Sequence, residues 1–321
     1  MNGIGRIVKE VKACKSALKL LPPPYNKQKC RYFIDMLYSI YKYGALADDY
    51  ISMAFYSKSH AEKKEYVTSG NKRLFYKGFY DNDARTTLAK KNLFSKRFAD
   101  YVKRDWIWSE DVSLKTIEDF INKHEKVVVK PASSTWGIGV RVIDNSELGK
   151  ILDDVKAGKH YMIEEVLVNH PDIRKLNPSS LHTLRVETCI DNKGHFHLLN
   201  VLLMVGMKHT IVSNCHSGGV MCHIDMKTGK VDKEGYNPQG WWCAVHPQSN
   251  IEFVGFKVPL IEQLEDYIKK VSYVMPNARY VGWDVAITPN GFELIEGNFC
   301  PGQCTQVCDG VPKYQMLKSW L

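Results

Sequence analysis

Two apolar segments near the end of the chain each carry a carboxylate where a buried strand usually carries an aliphatic side chain. Residues 282–288 (GWDVAIT) contain Asp284, and residues 292–298 (FELIEGN) contain Glu296. The segments flank Pro289, Asn290 and Gly291, and this pattern predicts a β-hairpin. The chemistry available to the two carboxylates therefore depends on how the hairpin pairs.

The length of the turn decides whether the carboxylates meet. A two-residue Asn-Gly turn places Asp284 opposite Gly297. A three-residue Pro-Asn-Gly turn places Asp284 opposite Glu296, with Asn298 on the same face. Opposed, buried carboxylates repel each other and resist ionisation, and a divalent cation removes both problems. Such hard oxygen donors suit Mg²⁺ bound to phosphate, whereas a surface hairpin with solvated acids is the alternative interpretation.

A candidate phosphate-binding loop lies upstream, in residues 126–140 (KVVVKPASSTWGIGV). A β-branched strand ends at Lys130, and small residues with two glycines follow. Glycines and small side chains let backbone N–H groups approach a phosphate closely, and the lysine adds a positive charge. Neither a Walker A loop nor a G-x-G-x-x-G fingerprint is present. An ordinary turn between two strands is the alternative.

Residues 161–167 (YMIEEVL) predict a further strand that ends in two carboxylates. Its exposed backbone is suited to pair with the edge of an adenine ring, and a carboxylate can accept hydrogen bonds from ribose hydroxyls. The alternative is an edge strand with a solvated acidic end.

The elements that must position these residues are helices and hairpins in mixed order. Periodic apolar residues predict helices over residues 4–21 and 28–56 (the latter divided near Gly44), and over 113–124, 146–157 and 259–274. Residues 181–205 predict a long hairpin that turns at 192–194. Because hairpins dominate, we expect α+β lobes with antiparallel sheets, not a doubly wound parallel sheet.

The positive charge of the chain is concentrated near its N-terminus. The net charge is +9, and residues 1–105 hold 22 Lys and Arg against 10 Asp and Glu. This asymmetry indicates an anionic partner or simply a solvated basic face. Residues 1–21 form a basic amphipathic pattern that suits a membrane surface, although its apolar stripe can equally pack on the protein's own core.

Composition narrows the class of protein. The chain lacks the run of about 20 apolar residues that spans a bilayer and the apolar block of a secretory signal. Its nine cysteines lack the spacing of an extracellular framework, so we expect reduced thiols and a cytoplasmic location. Cys300, Cys304 and Cys308 match no common zinc or iron–sulfur spacing.

The ordered set of segments resembles the ATP-grasp superfamily over about residues 90–310. More narrowly, it resembles the sugar-transfer-associated ATP-grasp proteins of bacterial polysaccharide gene clusters. The resemblance rests on these segments together: NLFSKRFADYV, VVVKPASSTWGIGV, YMIEEVLVNHPDI, LNPSSLHTLRVET, SNCHSGGVMCHIDMKTG and GWDVAITPNGFELIEGN. It implies a nucleotide-binding lobe over 93–170 and a C-terminal lobe with a metal site over 171–321. The charge and the helical patterns before these lobes predict a basic helical N-terminal region over 1–92.

The resemblance also implies roles for individual residues. The nucleotide would be bound by Lys96, Lys130, Ser133, Ser134, Gly137, Gly139, Glu164, Glu165, Val166, Leu167 and Asp172. Arg185 would act with Lys130 at the transferring phosphate. Asp284, Glu296 and Asn298 would bind the metal. His216, Gly218 and Gly219, and also Lys208 and His209, lie where substrate would approach, although structural roles serve equally well.

The implied function is an ATP- and Mg²⁺-dependent ligase. It would activate a carboxylate as an acyl phosphate and join it to an amine, with a sugar acid and an amino acid or amine as substrates in polysaccharide or capsule biosynthesis. The alternatives are an ATP-grasp kinase acting on a hydroxyl, and a membrane- or polyanion-binding scaffold with a non-catalytic nucleotide site. We expect a cytoplasmic protein, with inner-membrane contact through residues 1–21 and no nucleic-acid partner.

Overall fold

Three helices at the N-terminus form a small hydrophobic core of their own. The computed structural model describes residues 3–133, 137–207, 218–299, 301 and 305–321. The three helices are α1 (Gly3–Ala17), α2 (Lys29–Tyr43) and α3 (Ala47–Ser52). Gly44 ends α2 with a φ of 65°, a left-handed conformation that glycine adopts without strain. The break predicted near Gly44 is confirmed.

Four short helices connect this core to the rest of the molecule: α4 (His60–Lys63), α5 (Arg73–Gly78), α6 (Asn82–Ala89) and α7 (Lys91–Arg97). Phe75 of α5 and Phe94 of α7 are buried in the core of the large sheet described below, as are Phe79 and Phe98, which directly follow these two helices. Burying a side chain of this size contributes roughly 1.5–3 kcal/mol. Helices α5 and α7 therefore pack on the large sheet, although α5 precedes the predicted boundary at residue 92.

A small antiparallel sheet follows, built from β1 (Trp106–Trp108), β2 (Lys126–Pro131), β3 (Arg141–Asp144) and β4 (Tyr161–Glu165) in the order β1-β4-β2-β3. Helices α8 (Leu114–His124) and α9 (Leu148–Lys156) bury isoleucines against its apolar face. The Ser113 hydroxyl accepts a hydrogen bond from the Thr116 N–H and caps α8 at its predicted start.

The large sheet contains β5 (Thr183–Ile190), β6 (Phe196–Val205), β7 (Val220–Asp225), β8 (Lys230–Val231), β9 (Gly235–Asn237), β10 (Trp241–Cys243), β11 (Tyr280–Thr288) and β12 (Gly291–Phe299). Its order is β10-β9-β7-β6-β5-β11-β12, with β8 on β7, and every described strand pair is antiparallel. The predicted α+β class with antiparallel sheets is confirmed.

Four further helices complete the described fold: α10 (Pro171–Arg174), α11 (Leu264–Val274), α12 (Thr305–Asp309) and α13 (Tyr314–Ser319). Helix α11 buries Leu264, Ile268 and Val271 in the core of the large sheet. Among the described residues, no helix combines the length and apolarity that crossing a bilayer requires, and the described cysteines form no disulfide with one another. Cys300 and Cys304 lie outside the described residues.

Candidate functional site

The hairpin of β11 and β12 brings the two carboxylates together, but by an unexpected route. Thr288 pairs with Gly291, so the turn contains only Pro289 and Asn290. The register then shifts by one residue between Asp284 and Val285. This shift is a β-bulge, in which one strand carries an extra residue, and it places Asp284 directly opposite Glu296.

The bulge is therefore what creates the acidic pair. Val285 pairs with Leu294 and Asp284 pairs with Glu296, which leaves Ile295 as the extra residue. Without the extra residue, Glu296 would point to the other face of the sheet, since strand side chains alternate. The pairing of Asp284 with Glu296, expected for the longer turn, is confirmed, but the observed turn is neither of the two turns considered, Asn-Gly or Pro-Asn-Gly.

Two further polar side chains, Asn298 and Arg185, contact the acidic pair. The Asn298 amide nitrogen lies 3.3 Å from an oxygen of Asp284 and 3.2 Å from an oxygen of Glu296. Arg185 on β5 lies opposite Asp284 in the sheet. Its guanidinium donates two hydrogen bonds to that carboxylate, at 2.6 and 3.0 Å. Such a two-pronged arrangement fixes both side chains.

Burial and mutual repulsion make the acidic pair hold a proton tightly. Burial raises the pKa of Asp284 to about 6, the charge of Glu296 adds to this effect, and Arg185 opposes it. The pKa of Glu296, an exposed residue, is lowered instead: desolvation of its carboxylate by surrounding atoms opposes this shift, but a hydrogen bond from Asp284 and the charge of Lys130 outweigh it. The second ionisation of the pair is therefore harder than that of an isolated carboxyl group.

The small sheet contributes a second, balanced set of charges. Glu164 on β4 forms ion pairs with Lys130 on β2 and with Arg104, the latter at 2.9 Å. Arg104 also donates to Glu293 on β12 at 2.9 Å and to the Leu294 carbonyl at 2.7 Å. Arg104 thus joins the two sheets through buried hydrogen bonds.

The two positive partners of Glu164 change the pKa of its carboxyl group. Burial alone would raise its pKa, but the positive charges of Arg104 and Lys130 outweigh burial and lower the pKa to about 2. Sequence patterns did not identify Arg104, because it precedes β1 in no recognisable motif. Its only sequence signal is a charged residue beside the apolar run Trp106–Trp108.

Helix α7 directs Lys91, not Lys96, toward these charges. The pKa of Lys91 is lowered, mainly by burial and also by Lys130, while Glu296 and Glu164 oppose the shift. Lys96 instead pairs with Asp111 at 2.8 Å in an exposed ion pair. Residues five apart on a helix are separated by about 140°, so the two lysines leave α7 on different sides. Lys96 remains a predicted phosphate ligand without a described contact to the cluster.

The predicted phosphate loop is described only in part. Ser133 lies in an exposed turn after β2, and Ser134 lies outside the described residues. Gly137 and Gly139 have φ values of 73° and 75°, in the region where other residues are strained. A side chain at Gly139 would also lie 3.0 Å from the Pro131 ring. Both glycines are therefore required by the local backbone.

The predicted adenine hinge lies at the end of β4. Glu164 and Glu165 face opposite sides of the sheet, as neighbours in a strand do, and Glu165 accepts a hydrogen bond from the Asp105 N–H at 3.1 Å. Val166 and Leu167 follow the strand as half-buried residues. Asp172 pairs with Lys175 at 2.6 Å on α10. The nucleotide roles of these residues remain predictions.

A buried polar clamp holds the end of β6. The N–H of Gly206 donates to His182 Nδ1 at 3.1 Å, so that imidazole carries its proton on Nε2. The Gly206 carbonyl accepts from Asn177 at 3.1 Å and from His246 at 3.2 Å. Burial lowers the pKa of His182 to about 4, so His182 is neutral near pH 7. Lys208, His209 and His216 lie beyond this clamp, outside the described residues.

Gly218 and Gly219, the two remaining residues of the predicted substrate approach, precede β7. Gly218 has a φ of 88°, and the Gly219 carbonyl accepts a hydrogen bond from the buried Asn237 amide at 2.6 Å. These contacts are structural, and neither glycine is described in contact with the acidic pair.

The arrangement combines hard oxygen donors with a group of cations. The Asp284 and Glu296 carboxylates are the oxygen donors that Mg²⁺ prefers, and an added cation would relieve the repulsion between them. Asn298 lies beside them with its amide nitrogen toward both carboxylates. Lys91, Lys130 and Arg185 supply positive charges suited to phosphate oxygens. The cluster lies where the small and large sheets meet, because Lys130 interacts with Glu164 on one sheet and Glu296 on the other.

A family model described as sugar-transfer associated ATP-grasp matches residues 62–318. No curated protein matches the chain.

The chain is similar to several solved structures of synthetases and ligases. D-alanyl-alanine synthetase A from Vibrio cholerae O1 biovar eltor has 10% identity and a TM-score of 0.43, over 68% of this chain and 57% of that one. The D-alanine-D-alanine ligase from Helicobacter pylori has 14% identity and a TM-score of 0.43, over 74% and 60%. The ATP-grasp ligase PsnB, complexed with a minimal precursor, has 12% identity and a TM-score of 0.44, over 74% and 66%. The chain therefore spans less than two thirds of the length of these proteins.

Proposed function

Because the chain belongs to the sugar-transfer associated ATP-grasp family, we propose that it is an ATP- and Mg²⁺-dependent ligase that joins a carboxylate to an amine. The observation that carries this proposal is the acidic pair of Asp284 and Glu296 beside the cations Lys130 and Arg185. Phosphoryl transfer depends mainly on positioning and on neutralising charge, and this cluster contains the groups for both tasks.

Asp284, Glu296 and Asn298 are proposed to hold Mg²⁺. When bound, the ion would neutralise phosphate oxygens and orient the nucleotide. Lys130 and Lys91 are proposed as the phosphate-binding lysines, because both interact electrostatically with Glu296. We propose that the glycine loop after β2 covers the phosphates and excludes water.

The proposed reaction has two steps. A carboxylate oxygen of the substrate attacks the γ-phosphorus of ATP, which forms an acyl phosphate and releases ADP. An amine nitrogen then attacks the acyl carbon, and inorganic phosphate leaves as the amide forms. Arg185 would stabilise negative charge on the transferring phosphoryl group, which is where preorganised cations contribute most.

The family's sugar-transfer association supports a carboxylated sugar or a surface-glycan precursor as one substrate, and an amino acid or amine as the other. Polysaccharide or capsule biosynthesis in the cytoplasm is the corresponding biological setting. Trp241 and Trp242 on β10 are partly exposed, and aromatic faces of this kind suit contact with a sugar ring.

We also propose a membrane contact through residues 1–21, but only part of the apolar stripe of this segment is available for it. Cys14, Ala17 and Leu21, which belong to the C-terminal half of that segment, are buried in the N-terminal core. The lysines of α1 remain available to an anionic surface, so this contact would be mainly electrostatic.

The test is a trapping experiment with the full chain, Mg²⁺ and ATP. A panel of sugar acids is supplied with hydroxylamine, and ADP release and product mass are measured. The ligase proposal predicts carboxylate-dependent ADP release and a hydroxamate product, both lost in Arg185→Gln. A phosphorylated sugar without hydroxamate would support the kinase alternative instead. ATP binding without turnover on any carboxylate in the panel would favour the scaffold alternative.

A further inference from the structure

The outward face of α2 carries large apolar side chains on successive turns of the helix. Ile34, Tyr38 and Tyr41 are 67%, 43% and 87% exposed. Residues three and four apart are neighbours on a helix surface, so these three side chains form one row. We propose that this row, with Arg31 and Lys42 beside it, docks on the surface of an anionic lipid bilayer. We call these five residues the α2 face.

The side-chain chemistry of the α2 face suits a bilayer surface. A tyrosine ring buries its apolar body near the acyl chains and keeps its hydroxyl at the headgroups. Tyr38 is held on the helix by edge contacts with Tyr43 and His60, with ring centroids 6.1 and 5.2 Å apart. Ile34 and Tyr41 extend the apolar row by one turn on each side. The row is thus a shallow anchor and not a deep insertion.

Charge complementarity identifies an anionic surface as the partner. Arg31 and Lys42 are exposed on the same side of α2 as the apolar row. Asp35 is the sole acidic residue of α2, and it is compensated by an ion pair with Lys63 at 2.6 Å. Each Lys or Arg near an anionic bilayer strengthens binding by about fivefold.

The rest of the N-terminal core adds to this positive charge. Residues 1–57 contain nine Lys and Arg against four Asp and Glu. Of those acids, Asp49 is buried and accepts hydrogen bonds from Leu46 and Ser69. The basic excess is therefore at the surface, and Lys9, Lys12, Lys15 and Lys19 of α1 and its extension are all exposed.

A second copy of the chain is a poorer occupant. Pairing two copies of the α2 face would bring Arg31 and Lys42 toward their counterparts, and like charges in an interface are costly. An anionic bilayer meets the same apolar row without that repulsion. This inference is independent of the proposed ligase activity, because it involves no residue of the acidic pair or its cations.

Vesicle sedimentation with the full chain tests the proposal. One set of vesicles contains phosphatidylcholine alone and the other adds phosphatidylglycerol. We expect at least about tenfold stronger binding to the anionic vesicles, weakened by ~0.5 M NaCl because salt screens exposed charges. The variant I34S/Y38S/Y41S should bind at least about tenfold more weakly. R31Q/K42Q should also lose about tenfold or more.

Matched control variants change residues in α11, which packs on the large sheet, and in the segment before it. V254S/Y273S removes exposed apolar side chains and K269Q/K270Q removes exposed charges elsewhere, and both should bind within about twofold of wild type. Circular dichroism checks folding, and R31Q/K42Q decides the question if the triple variant unfolds. The proposal is overturned by equal binding to both vesicle types, by unchanged binding of the α2-face variants, or by a dimer that those variants dissociate.

Discussion

Two buried carboxylates on neighbouring sheets respond to burial in opposite ways. Glu164 on the small sheet lies between Arg104 and Lys130, and its pKa falls to about 2. Asp284 on the large sheet faces Glu296, and its pKa rises to about 6. The first group is balanced within the chain, whereas the second gains from an added cation. This difference separates a charge cluster that joins the sheets from one suited to bind a ligand.

Removing the balancing arginine should have the largest effect on stability. In Arg104→Met, Glu164 and Glu293 lose a buried partner, and breaking a buried ion pair typically costs about 3–5 kcal/mol. Urea unfolding measures the change. The control is Arg97→Met, whose pair with Asp83 is exposed and contributes about 0–1 kcal/mol. Equal losses in the two variants would show that Arg104 does not join the sheets as described.

Asp284 and Glu164 should make the folding stability depend on pH in opposite directions. The folded state holds the proton of Asp284 more tightly than the unfolded chain does, so stability falls as pH rises from about 4 to about 6, by roughly 3 kcal/mol. For Glu164 the folded pKa is lower, so its contribution is present above about pH 4.5 and is lost as pH falls toward 2.

Asp284→Asn tests the pH dependence assigned to Asp284. In this variant, stability should no longer fall between pH 4 and 6, whereas the loss of stability toward pH 2 that is assigned to Glu164 should remain. Thermal unfolding across this pH range provides the measurement. Added Mg²⁺ should raise the melting temperature of the wild type at pH 7 but not that of the variant, because binding to the folded state stabilises it. An unchanged decline in the variant would assign the proton to another group.

The smallest expected effect separates the two lysines of α7. Lys91→Met should weaken ATP binding by about tenfold, since a hydrogen bond between charged groups contributes about 1.5–3 kcal/mol. Lys96→Met should change it by less than about twofold, because exposed ion pairs of the Lys96 kind contribute little. A larger loss of ATP binding in Lys96→Met than in Lys91→Met would support Lys96, the residue that the family resemblance implies, as the phosphate ligand.

The sequence predicted the class of fold and the two members of the acidic pair. It did not predict the β-bulge, the directions of the side chains on α7 or the long-range contacts of Arg104. The meeting of Asp284 and Glu296 was expected from a longer turn, but a bulge at Ile295 supplies the shift instead. No residue type marks that bulge, since Ile295 is an ordinary strand residue.

The orientation of the α7 side chains could not be predicted either. Short α7 follows α6 directly, and the sequence gives no clear periodicity over seven residues, so the orientation of Lys91 and Lys96 could not be assigned. Arg104 was missed because its partners are about 60 and 190 positions away. Such contacts arise only when the two sheets pack together.

The most direct test of the central claim is calorimetry of ATP binding with and without Mg²⁺. Glu296→Gln keeps the shape of the hairpin and removes one charge of the acidic pair, while Glu262→Gln on the exposed surface serves as control. We expect Mg²⁺-dependent binding in the wild type and the control, and a loss of about 100-fold, or about 2.7 kcal/mol, in Glu296→Gln. ATP binding that needs neither Mg²⁺ nor Glu296 would contradict the assignment of the acidic pair as a metal–phosphate site.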